Sequence, residues 1–386
     1  MLKRKYVFTA LLMIIVLSII AYYITNLLIT TQEESDRLKK EILSQVEDIK
    51  TVVTAIRKLE FPRDMKIVVI SREQALKWWS PGKPTEKLIY KEIVYKLTLL
   101  VPETFNLTAA VGEWTASFLA ATAGYTIYII KENFNATEED VRMRTIAHEL
   151  VHVLQYHYFK VEYPEYLDGK LAVRAIVEGD ADFTADIYCN ETGIPPRSKL
   201  AIPIHQPYFA LKLFPYIYGE RFIAYLYRVG NWSLVNKVYA NLPESTEQIM
   251  HPEKYLGGEK PIDTILKVSV DGELKYVNVM GEYYILLILA PKVGLDEAFK
   301  AAEGWGGDKL ALYKTREEWI LYWNITWDTQ IDAEEFYNAT VKALQCIGEE
   351  ICVNKQIARF LVNNYQITIT LCNRNTLVKA EAKIKH

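Results

Sequence analysis

The chain has 386 residues, half of them apolar, and a formal net charge of −3. That length is enough to bury a large core, in two closely packed subdomains. The near-neutral balance, with no basic block after the start of the chain, argues against nucleic acid as a partner.

Lys3-Arg4-Lys5 precede an uncharged run from Tyr6 to Gln32 rich in Leu, Ile, Val and Phe. As a helix this run is long enough to cross roughly 30 Å of hydrocarbon. It is longer than the apolar core of a signal peptide and lacks a good A-x-A site. The expectation is therefore an uncleaved signal anchor over residues 1–31, touching the membrane through residues 6–30. Bases before it and acids after it (Glu33, Glu34, Asp36) predict a single-pass protein of the cell membrane, with its N-terminus in the cytoplasm and the rest outside. Two features agree with that address. N-x-S/T sequons at Asn106, Asn135, Asn190, Asn231, Asn324 and Asn338 suit a glycoprotein. Cys189, Cys346, Cys352 and Cys372 suit two disulfides of open pairing.

Residues 32–61 are highly charged. Leu38, Ile42, Val46, Ile49, Val53 and Ile56 recur at helical spacing, giving a helix that packs on its own domain or serves as a short stalk. Phe61-Pro62 ends it. Residues 62–200 are expected to form one subdomain. It contains a strand over Met65–Ile70, a helix over Arg72–Trp79, a helix in preference to a strand over Lys87–Pro102, and a β-branched strand over Gly124–Ile130. Thr137, with Asp140 three residues on, predicts the cap of a helix running to Tyr158.

That helix carries His148-Glu149-Leu150-Val151-His152. Residues four apart share a helix face, so two imidazoles can meet one metal ion while Glu149 reaches a water beside it. A catalytic zinc usually has a third protein ligand. Downstream, Glu178 and Asp182 lie four apart in a second helical stretch from Leu171 to Tyr188. The economical assignment makes Glu178 the third ligand and Asp182 the acceptor that orients a ligand histidine.

HExxH followed by a helix bearing E-x-x-x-D resembles the gluzincin, or thermolysin-like, zinc peptidases. The resemblance implies His148, His152 and Glu178 as ligands of one zinc ion, Glu149 as base and Asp182 on His148. Asp180 and Asp186 have no counterpart in that pattern and are read as solvated or capping. Three further stretches, Tyr216–Trp232, Pro243–Tyr255 and Gly304–Asp308, are similar to a little-characterised group of HExxH metallopeptidases with E-G-D-A and S-T-E-Q-x-x-H-P-E-K-Y segments. In zinc peptidases of this order, the strand before the metal helix is the edge that pairs with substrate, here Gly124–Ile130. Thermolysin-like enzymes also place a His and a Tyr near the oxyanion, and His251 is the candidate, with Tyr125 and Tyr255 behind it.

Residues 201–345 read as a mainly helical subdomain and 346–386 as a small β meander. The fold class is thus α+β and zincin-like, with a small mixed sheet, active-site helices and one membrane helix. The predicted function is hydrolysis of a peptide or protein substrate, with Glu149 as general base. Endopeptidase action is the default, since no G-x-M-E-N segment occurs. The alternative is a zincin-fold surface binding or scaffold protein that keeps zinc for structure only.

Overall fold

The structure is a computed structural model that describes residues 42–382, together with residues 20, 22, 23, 37 and 40. The membrane helix expected over Tyr6–Gln32 falls almost wholly outside these residues. No helix among those described is long and apolar enough to cross a membrane. The long helix Leu167–Thr192, for example, carries acids and bases along its whole length. The single-pass anchor and the cell-membrane address are therefore corrected. The cysteines are corrected too: all four are unpaired, with Cys189 buried and the other three exposed.

The charged stretch folds as helix α1 over residues 42–57. It is no stalk. Ile42, Val46, Ile49 and Val53 are at most 1% exposed and belong to the main core. Next come β1 (Lys66–Ile70), α2 (Arg72–Trp79), α3 (Glu86–Leu97), α4 (Leu107–Ala116), β2 (Ala120–Ala123), β3 (Thr126–Ile130) and the single-turn α5 (Lys131–Asn135). The strands form a mixed sheet of order β1-β3-β2, with β1 parallel and β2 antiparallel to β3. Three long helices follow: α6 (Glu139–Tyr158), α7 (Leu167–Thr192) and α8 (Pro207–Val238). The last is broken at Gly230 and Asn231, where Asn231 takes a φ of 51°.

Helices α7 and α8 approach until their backbones touch, at Gly179 and Gly219. A Cβ on Gly179 would lie 2.2 Å from the Gly219 carbonyl carbon, and one on Gly219 would lie 2.2 Å from the Ala175 oxygen. Only glycine fits both positions.

The remainder comprises α9 (Thr246–Met250), α10 (Pro252–Gly257), β4 (Glu273–Asn278), α11 (Glu282–Val293), α12 (Leu295–Ala302), β5 (Trp305–Lys314), β6 (Trp319–Trp327), α13 (Gln330–Gln345) and β7 to β10 (Glu349–Val353, Ile357–Val362, Tyr365–Cys372, Asn375–Ala382). All seven of these strands make one antiparallel sheet of order β4-β5-β6-β10-β9-β8-β7. This corrects the picture of a helical subdomain followed by a separate small meander, because the expected boundary at residue 345 falls inside the sheet. The reason is burial. In β6 nearly every residue is buried on one face or the other, so the two-residue alternation that marks a half-exposed strand is missing. Tight turns with Asn363 and Asn373 at positive φ close the last hairpins, and Trp305, Trp323 and Trp327 fill the core beneath.

Candidate metal centre

Helix α6 is pinned by Ile146, Ala147, Leu150, Val151, Val153 and Leu154, each at most 1% exposed. Its expected cap does not form. Thr137 Oγ1 donates to Asn133 O at 2.8 Å, drawn back into α5, and Glu138 starts the helix without a side-chain cap.

The buried stripe turns the His148 and His152 edge toward α7. Their Nε2 atoms lie 3.1 Å apart. Glu178 Oε2 comes across from α7 to 3.4 Å from one and 3.5 Å from the other. On the far side of the rings, His148 Nδ1 meets Asp182 Oδ1 at 3.1 Å and His152 Nδ1 meets Gln155 Oε1 at 2.7 Å. Both partners are acceptors, so each Nδ1 carries the hydrogen and each Nε2 presents a lone pair. Two lone pairs and a carboxylate oxygen therefore converge on one point, with all three atoms within 4.8 Å of one another. Such a donor set suits a divalent cation with mixed nitrogen and oxygen ligands, zinc above all. With no ion bound, the same acids favour a proton on the rings, which a bound metal would displace. Burial works to lower the His148 pKa, but hydrogen bonds to Asp182 and Glu178 outweigh it and raise it to about 10. Burial works to raise Glu178, yet its bonds to the two imidazoles hold it well below the usual carboxylate range.

The acids of α7 form a ladder. Arg144, His148 and His152 on α6 face Asp186, Asp182 and Glu178 on α7, one turn at a time. Asp182 is 1% exposed and is held by Arg144 at 3.0 Å and Arg197 at 2.6 Å. Asp186 pairs with Arg144 at 2.6 Å. Asp180, 0% exposed, pairs with Arg57 of α1 at 3.1 Å. The reading of Asp180 and Asp186 as solvated or capping is thus corrected, since both are ion-paired, Asp180 fully buried and Asp186 partly exposed.

A cavity of about 410 Å³ opens onto this point. Glu149 lines it, and Thr122 Oγ1 donates to Glu149 Oε2 at 2.7 Å. Ala120, Ala121 and Thr122 of β2 form the adjacent wall. The edge strand is therefore β2, while β3, within the expected Gly124–Ile130 edge, is the centre of the sheet. Ala120-Ala-Thr-Ala123 has almost no β-branched content, so nothing in its composition announced a strand. Tyr163, Arg174 and Tyr216 line the cavity as well. Arg174 Nη2 lies 3.6 Å from Glu178 Oε1. Burial, then the charge of Glu178, push the Tyr216 hydroxyl well above its ordinary pKa, so it remains a proton donor. Arg174, one turn before Glu178, was the legible member of this trio.

His251 is not at the site. It joins α9 to α10, and its Nε2 lies 2.9 Å from Glu282 Oε1. Tyr125 reaches His157 Nδ1 at 3.1 Å and Tyr255 donates to Asn241 O at 2.7 Å. None of the three lines the cavity. The S-T-E-Q segment is instead a structural knot: Thr246 Oγ1 donates to Asp168 Oδ1 at 2.6 Å, and Lys254 joins Glu247 at 2.7 Å. Nearby, Asp308 takes the N–H groups of Met280 and Gly281 and the Trp305 indole.

Burial, only partly offset by the Thr246 bonds, lifts Asp168 from 3.8 to about 8. The folded chain therefore holds that proton more tightly than the unfolded one, and this contribution to stability fades as pH rises from about 4 to about 8. Urea unfolding across that range is expected to show the decline for the native chain and a flatter profile for Asp168→Asn.

A family described as a domain of unknown function (DUF8575) matches residues 270–377, which hold six strands of the large sheet and the start of the seventh, and not helices α6 and α7. No curated protein matches the chain. Among solved structures, the chain is similar to the "crystal structure of a putative hydrolase with a novel fold" from Chloroflexus aurantiacus. The identity is 14% and the TM-score 0.37, over 58% of this chain and 90% of that one.

Proposed function

We propose that the chain is a zinc-dependent peptidase of the gluzincin kind, with His148, His152 and Glu178 holding the metal and Glu149 acting as general base. The observation that carries this reading is the convergence of two Nε2 lone pairs and one carboxylate on a point at a cavity wall, with a second carboxylate at the same wall. Zinc, when bound, supplies a Lewis acid that polarises a carbonyl and acidifies water. The chain supplies the rest. Glu149 takes the proton of the attacking water and passes it to the leaving amine. Thr122, bonded to one carboxylate oxygen, fixes the direction in which Glu149 points. Tyr216 and Arg174, which also line the cavity, are donors for the oxygen that gains charge as the carbonyl is attacked. The unpaired edge of β2 suits an extended peptide laid along it, which favours a peptide substrate.

A scaffold that kept zinc for structure alone would have no use for a base at the cavity wall. Dialysis against a chelator is expected to abolish cleavage of a mixed peptide library, and added zinc to restore it. Cleavage that survives full metal removal would sink the reading.

A further inference from the structure

The second metal histidine is oriented by a chain of bonds that ends in the N-terminal helix, and nothing in the HExxH pattern requires it. His152 Nδ1 meets Gln155 Oε1 at 2.7 Å. The other end of the Gln155 amide donates to Val177 O at 2.8 Å, to Asp180 Oδ2 at 3.3 Å and to the Tyr239 hydroxyl at 3.0 Å. Val177 O can only accept, and Asp180 Oδ2 accepts beside it, so the amide nitrogen must face them and the amide oxygen must face His152. That fixes the ring with hydrogen on Nδ1 and a lone pair on Nε2. Asp180 Oδ2 also accepts from Arg57 Nη2 at 3.1 Å and from the Tyr239 hydroxyl at 2.7 Å. Arg57 is 1% exposed and its guanidinium lies 4.1 Å from the Trp232 ring. Its helix is anchored by the buried stripe Ile42, Val46, Ile49 and Val53.

We infer that Gln155, Asp180 and Arg57 are positioning residues for the metal: Arg57 of α1 holds the Asp180 carboxyl in place, Asp180 and Val177 O set the Gln155 amide, and the amide sets the His152 tautomer. The inference rests on the metal reading above.

Two variants test it in the full chain, with cobalt(II) as the probe. Gln155→Met keeps the bulk of the side chain and the Arg57–Asp180 pair but removes the acceptor on His152. Asp180→Asn removes the carboxylate that Arg57, Tyr239 and the Gln155 amide share, while Val177 O still accepts from the amide. Gln155→Met is expected to bind cobalt about 10- to 100-fold more weakly, the range for losing an outer partner of a ligand histidine, with a changed visible absorption band, and Asp180→Asn to show a smaller loss in the same direction. A purely structural role would lower the melting temperature and leave cobalt affinity and spectrum untouched. That outcome in the variants that fold, judged by circular dichroism, overturns the inference. If the native chain binds no cobalt, the metal reading fails first, and the native sample alone reveals it.

Discussion

Replacing Glu149 by Gln is expected to lower the rate of peptide cleavage by about 10²- to 10⁴-fold, the range contributed by a positioned acid–base group. The metal content should not change. The substitution is nearly isosteric and leaves the ligand atoms of His148, His152 and Glu178 in place. The Thr122 hydroxyl can still donate to the remaining side-chain oxygen, so the group stays where it was and loses only its ability to take a proton. Comparing kcat for the two proteins at equal zinc occupancy reads this directly. Equal rates would remove Glu149 from the chemistry.

The largest effect on stability is expected from Gly179→Ala. Its Cβ would meet backbone atoms of Gly219 at 2.2, 2.4 and 2.7 Å, and backbone cannot rotate aside as a side chain can. The helices α7 and α8 must part, and overpacking of this kind typically costs about 1–3 kcal/mol and occasionally more. Since Glu178 and Asp180 flank the glycine, metal affinity should suffer along with the urea midpoint. Gly257→Ala is the comparison: a Cβ there meets nothing within 4 Å, and little change is expected.

The edges of the candidate site were legible because they depend on helix periodicity. Spacings of four put His148 with His152 on one edge of α6 and Glu178 with Asp182 on one edge of α7, while the packing of the two helices brings those edges together. The glycine of E-G-D-A was present as a letter, but its reason lies in a close approach of α8 that no local pattern reveals. Asp180 and Arg57 were hidden in the same way, since their pairing spans 123 residues. His251 misled because a histidine in a polar segment looks equally apt for a cleft and for a knot between helices, and its partner Glu282 is distant in sequence. Strand β2 was masked by its alanines and β6 by its double burial. The apolar start of the chain told of a capacity to span a membrane, which is a statement about length and hydropathy and not about where those residues lie.

His148, His152 and Glu178 are proposed to hold one divalent metal ion between them. Zinc content is read by inductively coupled plasma mass spectrometry on the purified native chain and on Glu178→Ala. About one zinc per native chain is expected, with a large loss in the variant, as when one of three protein ligands is removed. A native chain without zinc, or a Glu178→Ala variant that keeps its full complement, would contradict this assignment.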